Sequence, residues 1–154
     1  MKTKTPIVTA IISSLFFCTR MCGQESPIIQ IETVKIQDLD NNGKQLSGSF
    51  VRKDDQQLDP AKVKIHFAIY EKKADGKLCI TQNEVKSKWL TLPTDWKDSR
   101  SEAIEVSYAG PKDPTNSTFY GYSVYVYYDG AIVDSVCVPN DLNEYLPTTI
   151  QKKK

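Results

Sequence analysis

Few side chains in this sequence are of the types that do chemistry, and they are not grouped. His66 is the only histidine, and no cysteine or aspartate stands near it in a spacing that would complete a zinc site. The paired carboxylates, Asp38 with Asp40 and Asp54 with Asp55, lie in polar turn-like stretches. No nucleophile elbow or glycine-rich loop accompanies them. We therefore expect neither an enzyme nor a bound metal or cofactor.

The run from Asp38 to Gly43 copies the first half of a calcium loop. It offers oxygen ligands at the first, third and fifth positions and a glycine at the sixth. The bidentate glutamate expected at the twelfth position is Ser49 instead, and the flanking residues favour strands rather than helices. Since Asp and Asn are also common turn residues, a plain turn is the better interpretation.

The first residues have the organisation of an export signal. Lys2 and Lys4 precede an apolar run, Ile7–Cys18, which a polar segment ends. This run is shorter than the roughly 20 residues that span a bilayer. We expect residues 1–23 to be a signal peptide, residues 24–146 a single domain, and residues 147–154 a flexible tail. The protein would then be secreted, periplasmic or on the cell surface, without a membrane span.

Export leaves two cysteines, Cys79 and Cys137, in the mature chain. An oxidising compartment favours one disulfide between them. Counting residues from the turns places the two side chains on different faces, which argues against the bond. The sequence leaves this pairing open.

Composition restricts the class of partner. The chain has 154 residues, enough for one domain with a core, and 20 basic residues balance 19 acidic ones. Nucleic-acid-binding domains concentrate basic residues in a stripe, and none is present. We expect no nucleic-acid partner.

Alternating apolar residues between turn signals predict seven strands and no long helix. The predicted strands are Ile28–Leu39 with a bulge near Thr33, Gln45–Arg52, Lys62–Lys72, Leu78–Gln82, Ser101–Tyr108, Phe119–Tyr128 and Ala131–Val138. The sequence leaves Glu84–Leu92 undecided, because Trp89 and Leu90 could either end a strand or lie in a packed loop. This spacing predicts an all-β fold, an antiparallel sandwich.

The last two strands form the clearest hairpin. Asp129-Gly130 is a strong hairpin signal, and counting outward sets Tyr128 opposite Ala131 and Val126 opposite Val133. Val124, Val126 and Cys137 would then face the core. The outward face would be unusually apolar, carrying Phe119, Tyr125, Tyr127, Ile132, Asp134, Val136 and Val138.

Seven short strands, the tyrosine-rich run Tyr120-Gly121-Tyr122-Ser123-Val124-Tyr125-Val126 and a terminal hairpin resemble immunoglobulin-like and fibronectin type III domains, from about Ile28 to Val138. The Cys–Trp–Cys core of immunoglobulin domains is absent. The chain also resembles small exported β-sandwich proteins that accompany pilus-like surface systems of mucus-dwelling gut bacteria. The resemblance implies an adhesion-associated interaction module, and it places Val63–Tyr70, Phe119–Tyr128 and Ala131–Val138 side by side.

In that arrangement the outward residues form one surface for a protein partner or a second copy of the chain. Its candidate residues are Tyr70, Phe119, Tyr125, Tyr127, Ile132, Asp134 and Val136, with His66 and Ala68 beside them. Alternatively, another part of the chain folds over this face: the Gly110–Asn116 loop, the Pro139–Leu146 segment or the Trp89–Trp96 region. A second hypothesis is a small-ligand or glycan-binding domain that uses loops near Trp89, Trp96 and Tyr108.

Overall fold

Two antiparallel four-stranded sheets form the architecture of a computed structural model, which describes residues 28–53, 58–91, 96 and 100–145. The strands are β1 (Ile29–Asp38), β2 (Lys44–Arg52), β3 (Val63–Lys73), β4 (Leu78–Ile80), β5 (Val85–Trp89), β6 (Ser101–Tyr108), β7 (Ser117–Tyr128) and β8 (Ala131–Val138). One sheet has the order β1-β2-β6-β5 and the other β4-β3-β7-β8. The all-β sandwich prediction is confirmed, with eight described strands rather than about seven.

Strand β5 is the eighth strand, from the stretch that the sequence left undecided. Val85, Ser87 and Trp89 alternate with Lys86 and Lys88, and β6 is the one described strand that pairs with β5. The predicted bulge in β1 is confirmed, because the register with β2 shifts between Ile31 and Thr33.

The apolar core lies between the sheets. Every other residue of β6 (Ile104, Val106, Tyr108) and the inward residues of β7 (Tyr122, Val124, Val126) are buried in it. Phe50 and Phe67 meet across the two sheets in an edge-to-face contact, with ring centroids 6.3 Å apart. Gly48 provides the space for that contact, because a Cβ there would lie 2.9 Å from the Phe50 ring.

Three short 3-10 helices connect or follow the strands in the described residues: η1 (Asp40–Asn42), η2 (Pro60–Lys62) and η3 (Asn140–Tyr145). Helix η1 forms the turn within the calcium-like run. The Asp38 carboxylate of this run forms a salt bridge with Lys44. Helix η2 begins after Asp59, whose carboxylate accepts a hydrogen bond from the Ala61 N–H at 3.1 Å. None of the described helices is long and apolar enough to cross a membrane.

Candidate functional site

A bulge in β8 changes which residues face outward in the final hairpin. Tyr128 pairs with Ala131 as predicted, but Val126 pairs with Asp134 because Val133 is an extra residue on β8. Beyond that point every β8 side chain faces the side opposite to the predicted one. Val136 therefore lies on the core side, opposite the fully buried Val124. The outward orientation predicted for Asp134 and Val136 is wrong for this reason.

Phe119 also lies on the core side. A second irregularity, between Tyr70 and Glu71, leaves Tyr120 unpaired and turns Phe119 toward Tyr108, with ring centroids 6.1 Å apart. Its predicted outward orientation is therefore wrong as well.

Helix η3 folds over the outer face of the second sheet and closes much of the predicted surface. Leu142 is fully buried there and packs in a second apolar cluster with Ala68, Tyr70, Tyr125 and Cys137. Tyr70 is 3% exposed and Tyr125 is 1% exposed, so neither offers contact area to a partner. The alternative in which this segment covers the tyrosines is the arrangement in the structure.

Gly121 makes this cover sterically possible. It lies on the outer face of β7, where a Cβ would stand 2.1 Å from the Val138 carbonyl oxygen and 3.0 Å from Leu142. Any larger residue would push η3 away from the sheet. Beneath the helix, the hydroxyls of Ser123 and Tyr125 are buried and form no hydrogen bond of ordinary geometry with the described residues, although the hydroxyls of Ser123 and Tyr70 lie near that of Tyr125. Burial raises the pKa of Tyr125 above its usual value.

Part of the predicted outer surface stays accessible. Tyr127 and Ile132 are half-buried at the rim of the second cluster, and His66 is exposed. The imidazole of His66 stacks on Tyr125 with ring centroids 6.3 Å apart. The remaining aromatic patch is therefore small.

No disulfide joins Cys79 to Cys137. Cys79 is a free thiol in β4, where its Sγ lies 3.7 Å from the Glu71 carbonyl oxygen. Cys137 lies under η3 on the outer face, not in the main core as predicted, because the β8 bulge reverses its side. With one thiol at the sheet edge and the other beneath η3, the open question of the pairing is answered against the bond.

The residues of the second hypothesis do not form one binding site. Trp96 is 2% exposed, and its carbonyl oxygen accepts a hydrogen bond from Arg52 at 2.7 Å. Tyr108 is fully buried, and its hydroxyl donates to Glu71 Oε1 at 2.8 Å. Burial, and then this hydrogen bond, raise the pKa of Tyr108 above its usual value. Of the three, only Trp89 reaches the surface.

One lateral side of the sandwich is closed. The edge strands β1 and β8 meet there, and the Ile31 N–H donates a hydrogen bond to Asp134 Oδ2 at 2.8 Å. Ile31, Val133 and Val136 pack against the core at this side. Asp134 thus works as a link between the two sheets instead of a contact residue.

At the opposite lateral side the described residues leave an opening, because β4 pairs with only one end of β3. Strand β4 pairs with Tyr70, Glu71 and Lys72, and the Thr81 N–H reaches the Ile69 carbonyl at 2.9 Å. Among the described residues, no strand pairs with the earlier part of β3 on this side.

The pattern of backbone hydrogen bonds between β3 and β7 shows which N–H and C=O groups of β3 point outward at this edge. The Asp129 N–H donates to the Lys62 carbonyl at 3.1 Å, which makes those two residues a hydrogen-bonded pair. Alternate residues then point the other way, so Val63, Ile65 and Phe67 direct their N–H and C=O groups away from β7. No described strand receives those groups.

Strand β5 presents the second edge at this side. The Leu90 N–H donates to the Ala103 carbonyl at 2.8 Å, so Val85, Ser87 and Trp89 direct their backbone groups away from β6. Trp89 lies on the core side of the sheet, opposite Ile104, and yet it is 36% exposed. We call the residues Val63, Ile65, Phe67, Val85, Ser87 and Trp89 the open side.

A shallow groove lies at the other end of β3, between the β3–β4 hairpin and η3. Its volume is about 420 Å³, and it is lined by Lys72, Lys77, Leu78, Tyr120 and Tyr145. The Lys72 ammonium stands 5.7 Å from the Tyr120 ring centroid, and the Tyr120 hydroxyl bonds to Asp141. Two aromatic rings and two ammonium groups thus lie together in this groove.

Within the described ranges no three His, Cys, Asp or Glu side chains are grouped in a way that could hold a metal ion. Comparison with protein-family models, with curated proteins and with solved structures finds no match. The sequence contained a signal for β5 in the alternation of Val85, Ser87 and Trp89, but not for the free edge of β3, which depends on where β4 ends.

Proposed function

We propose that this protein is an exported, non-enzymatic interaction module that works at the cell surface or in the periplasm. It binds a protein partner through the open side rather than through the tyrosine-rich outer face. The observation that carries the proposal is the contrast between the two lateral sides. One is closed by Ile31 and Asp134, and the other has two strand edges that no described strand pairs with, beside the exposed Trp89.

The unpaired N–H and C=O groups of an edge strand readily pair with a strand of another chain, and stable proteins usually cover or shorten such edges. A partner that covers the open side would satisfy backbone groups and bury Trp89 at the same time. Tryptophan at the centre of a binding surface contributes disproportionately to affinity. The export signal predicted in residues 1–23, and the resemblance of the sequence to pilus- and adhesion-associated sandwich proteins, support the proposed role outside the cytoplasm.

Site-specific photocrosslinking in the source cells tests the proposal. A photoreactive amino acid at Lys88, on β5, should give one discrete crosslinked product, whereas the same group at Lys35, on β1, should give none. Trp89→Glu in the Lys88-labelled protein should abolish the product. Equal products from both positions, or a product that Trp89→Glu leaves unchanged, would contradict binding through the open side. Light scattering of the purified protein shows whether that partner is a second copy.

Glycan binding is a second candidate function, favoured by the groove at Lys72, Lys77, Tyr120 and Tyr145. The Trp89 and Trp96 loops do not support it, since Trp96 is buried. A panel of neutral and anionic oligosaccharides tests it by tyrosine fluorescence. Binding should be lost in Tyr145→Ala, whereas an unchanged response in that variant would exclude the groove.

A further inference from the structure

The edge of β3 differs from an ordinary sheet edge because its inward side chains are incompletely covered. Ile69, which lies beside β4, is 1% exposed, whereas Ile65 and Phe67, beside which no described strand pairs on that edge, are only half-buried. Their partners on β7, Val126 and Val124, are fully buried. The burial of the inward side chains of β3 is therefore complete where a neighbouring strand pairs with it and incomplete where none of the described strands does.

The uncovered position continues the line of β4. A strand placed beside Val63–Phe67 would lie in the second sheet, immediately beyond Ile80, where the chain leaves for β5. It would receive the backbone groups of Val63, Ile65 and Phe67. Its inward side chains would extend the core toward Trp89, which faces the same side from β5. Backbone bonds and side-chain burial are therefore available together.

Charge restricts what can occupy this position. Lys64 is exposed on the outer face of β3, the face that the outward side chains of a strand added beside Val63–Phe67 would share. Opposite charges on neighbouring strands attract, and like charges directly opposite one another destabilise a sheet. Pairing β3 with β3 of a second copy would bring two lysine-bearing edges together. The open side therefore favours a different chain whose outward residues are acidic.

We infer that the β3 edge is an acceptor for an extended segment of a partner protein, in which apolar residues alternate with acidic ones. The segment adds as a strand beside Val63–Phe67, in line with β4. This inference rests on the proposed function and specifies the partner of the same open side. Strand addition supplies affinity through backbone hydrogen bonds and specificity through alternate side chains.

Synthetic peptides test the inference directly. The probe is a capped peptide of alternating valine and glutamate, and the matched control alternates valine and lysine. On binding, the valine–glutamate peptide should slow amide exchange at Ile65 and Phe67 by about tenfold or more. It should leave exchange unchanged at Lys64 and His66, whose amides already bond to β7. The control peptide should give no slowing.

A charge reversal makes the test specific for β3. Lys64→Glu should reverse the preference, so that the valine–lysine peptide binds and the valine–glutamate peptide does not. Lys86→Glu, an equivalent change on β5, should leave the preference as it was. Equal binding of both peptides, slowing confined to Val85, Ser87 and Trp89, or no slowing at all would overturn the inference. If the Lys88 photocrosslink to a partner is nevertheless specific, the proposed function stands and the partner binds as a folded surface.

Discussion

The Ile31 N–H donates a hydrogen bond to Asp134 Oδ2 across 103 residues of chain, and this bond joins the edge strands of the two sheets. The same carboxylate accepts the Ser135 N–H through its other oxygen at 2.9 Å. Both features depend on bulges, one in β1 after Ile31 and one in β8 at Val133. The closed side of the sandwich therefore depends on two local irregularities that meet.

Replacing Asp134 should weaken the fold measurably. Asp134→Ala leaves the Ile31 N–H without its acceptor, and we expect a loss of about 1–2 kcal/mol in the free energy of unfolding. Asp134→Asn keeps an oxygen in place and should lose less than half as much. Urea denaturation followed by fluorescence measures both. Equal losses for the two variants would show that the carboxylate charge, not the hydrogen bond, stabilises the closed side.

The sequence predicted correctly which residues pair next to the Asp129-Gly130 turn. It did not predict correctly which β8 side chains face the core. Asp129-Gly130 fixes Tyr128 opposite Ala131 because turn geometry acts over two residues. Val133 carries no glycine-like signal for a bulge, yet one extra residue there reverses Asp134, Val136 and Cys137. A bulge of this kind is stabilised by the contact with β1, so only the tertiary structure reveals it.

From the sequence, a segment that covers Tyr70 and Tyr125 could be given only as one alternative to an exposed face. The sequence offers Pro139–Leu146 as one of the segments that could cover this face, and η3 (Asn140–Tyr145) lies within that segment. Its direction across the sheet depends on Gly121, whose missing side chain matters only once Val138 and Leu142 lie above it. Alternation could identify the face that carries Tyr125, but not what lies on top of it.

Gly121→Ala should displace η3. The added Cβ would overlap the Val138 carbonyl oxygen, and we expect a destabilisation of about 1–3 kcal/mol, typical of overpacking. Proteolysis should become faster within residues 140–145. The adjacent Ser123→Ala removes a buried hydroxyl that forms no hydrogen bond of ordinary geometry with the described residues and should leave stability unchanged or slightly higher. Equal proteolysis of the Gly121 variant and the wild type would show that η3 does not depend on this contact.

Alkaline pH should destabilise the protein through its buried tyrosines. The pKa values of Tyr108, Tyr122 and Tyr125 are raised, in each case first by burial. The folded state therefore keeps protons that the unfolded chain loses near pH 10, so stability is full below about pH 10 and falls as pH rises above it. Tyrosinate absorbance and unfolding, measured together against pH, should show these groups ionising only as the protein unfolds.

Tyr108→Phe isolates one of these groups. It removes the hydrogen bond to Glu71 and should cost about 1–2 kcal/mol at neutral pH. It should also reduce the decline of stability at alkaline pH, since one buried ionisation is absent. Tyr145→Phe, at an exposed position, should change neither property. An alkaline decline that is the same in all three proteins would contradict the assignment.

The two cysteines should behave independently. Under native, non-reducing conditions Cys79 should react with an alkylating reagent, whereas Cys137, 4% exposed beneath η3, should react only on unfolding. Peptide mapping by mass spectrometry should find no Cys79–Cys137 bond, and Cys79→Ala should keep the melting temperature. A bonded pair, or a large loss of stability in Cys79→Ala, would contradict the positions of the thiols.

The open edge of β3 is the basis of the proposed binding mode, and residue-resolved amide exchange of the free protein tests it most directly. The structure predicts alternation along the strand, because Lys64 and His66 donate to β7 whereas Ile65 and Phe67 direct their N–H groups outward. Exchange should therefore be fast at Ile65 and Phe67 and slow at Lys64 and His66. Uniformly slow exchange from Val63 to Ala68 would mean that the edge is already paired, and the account of an acceptor strand would be wrong.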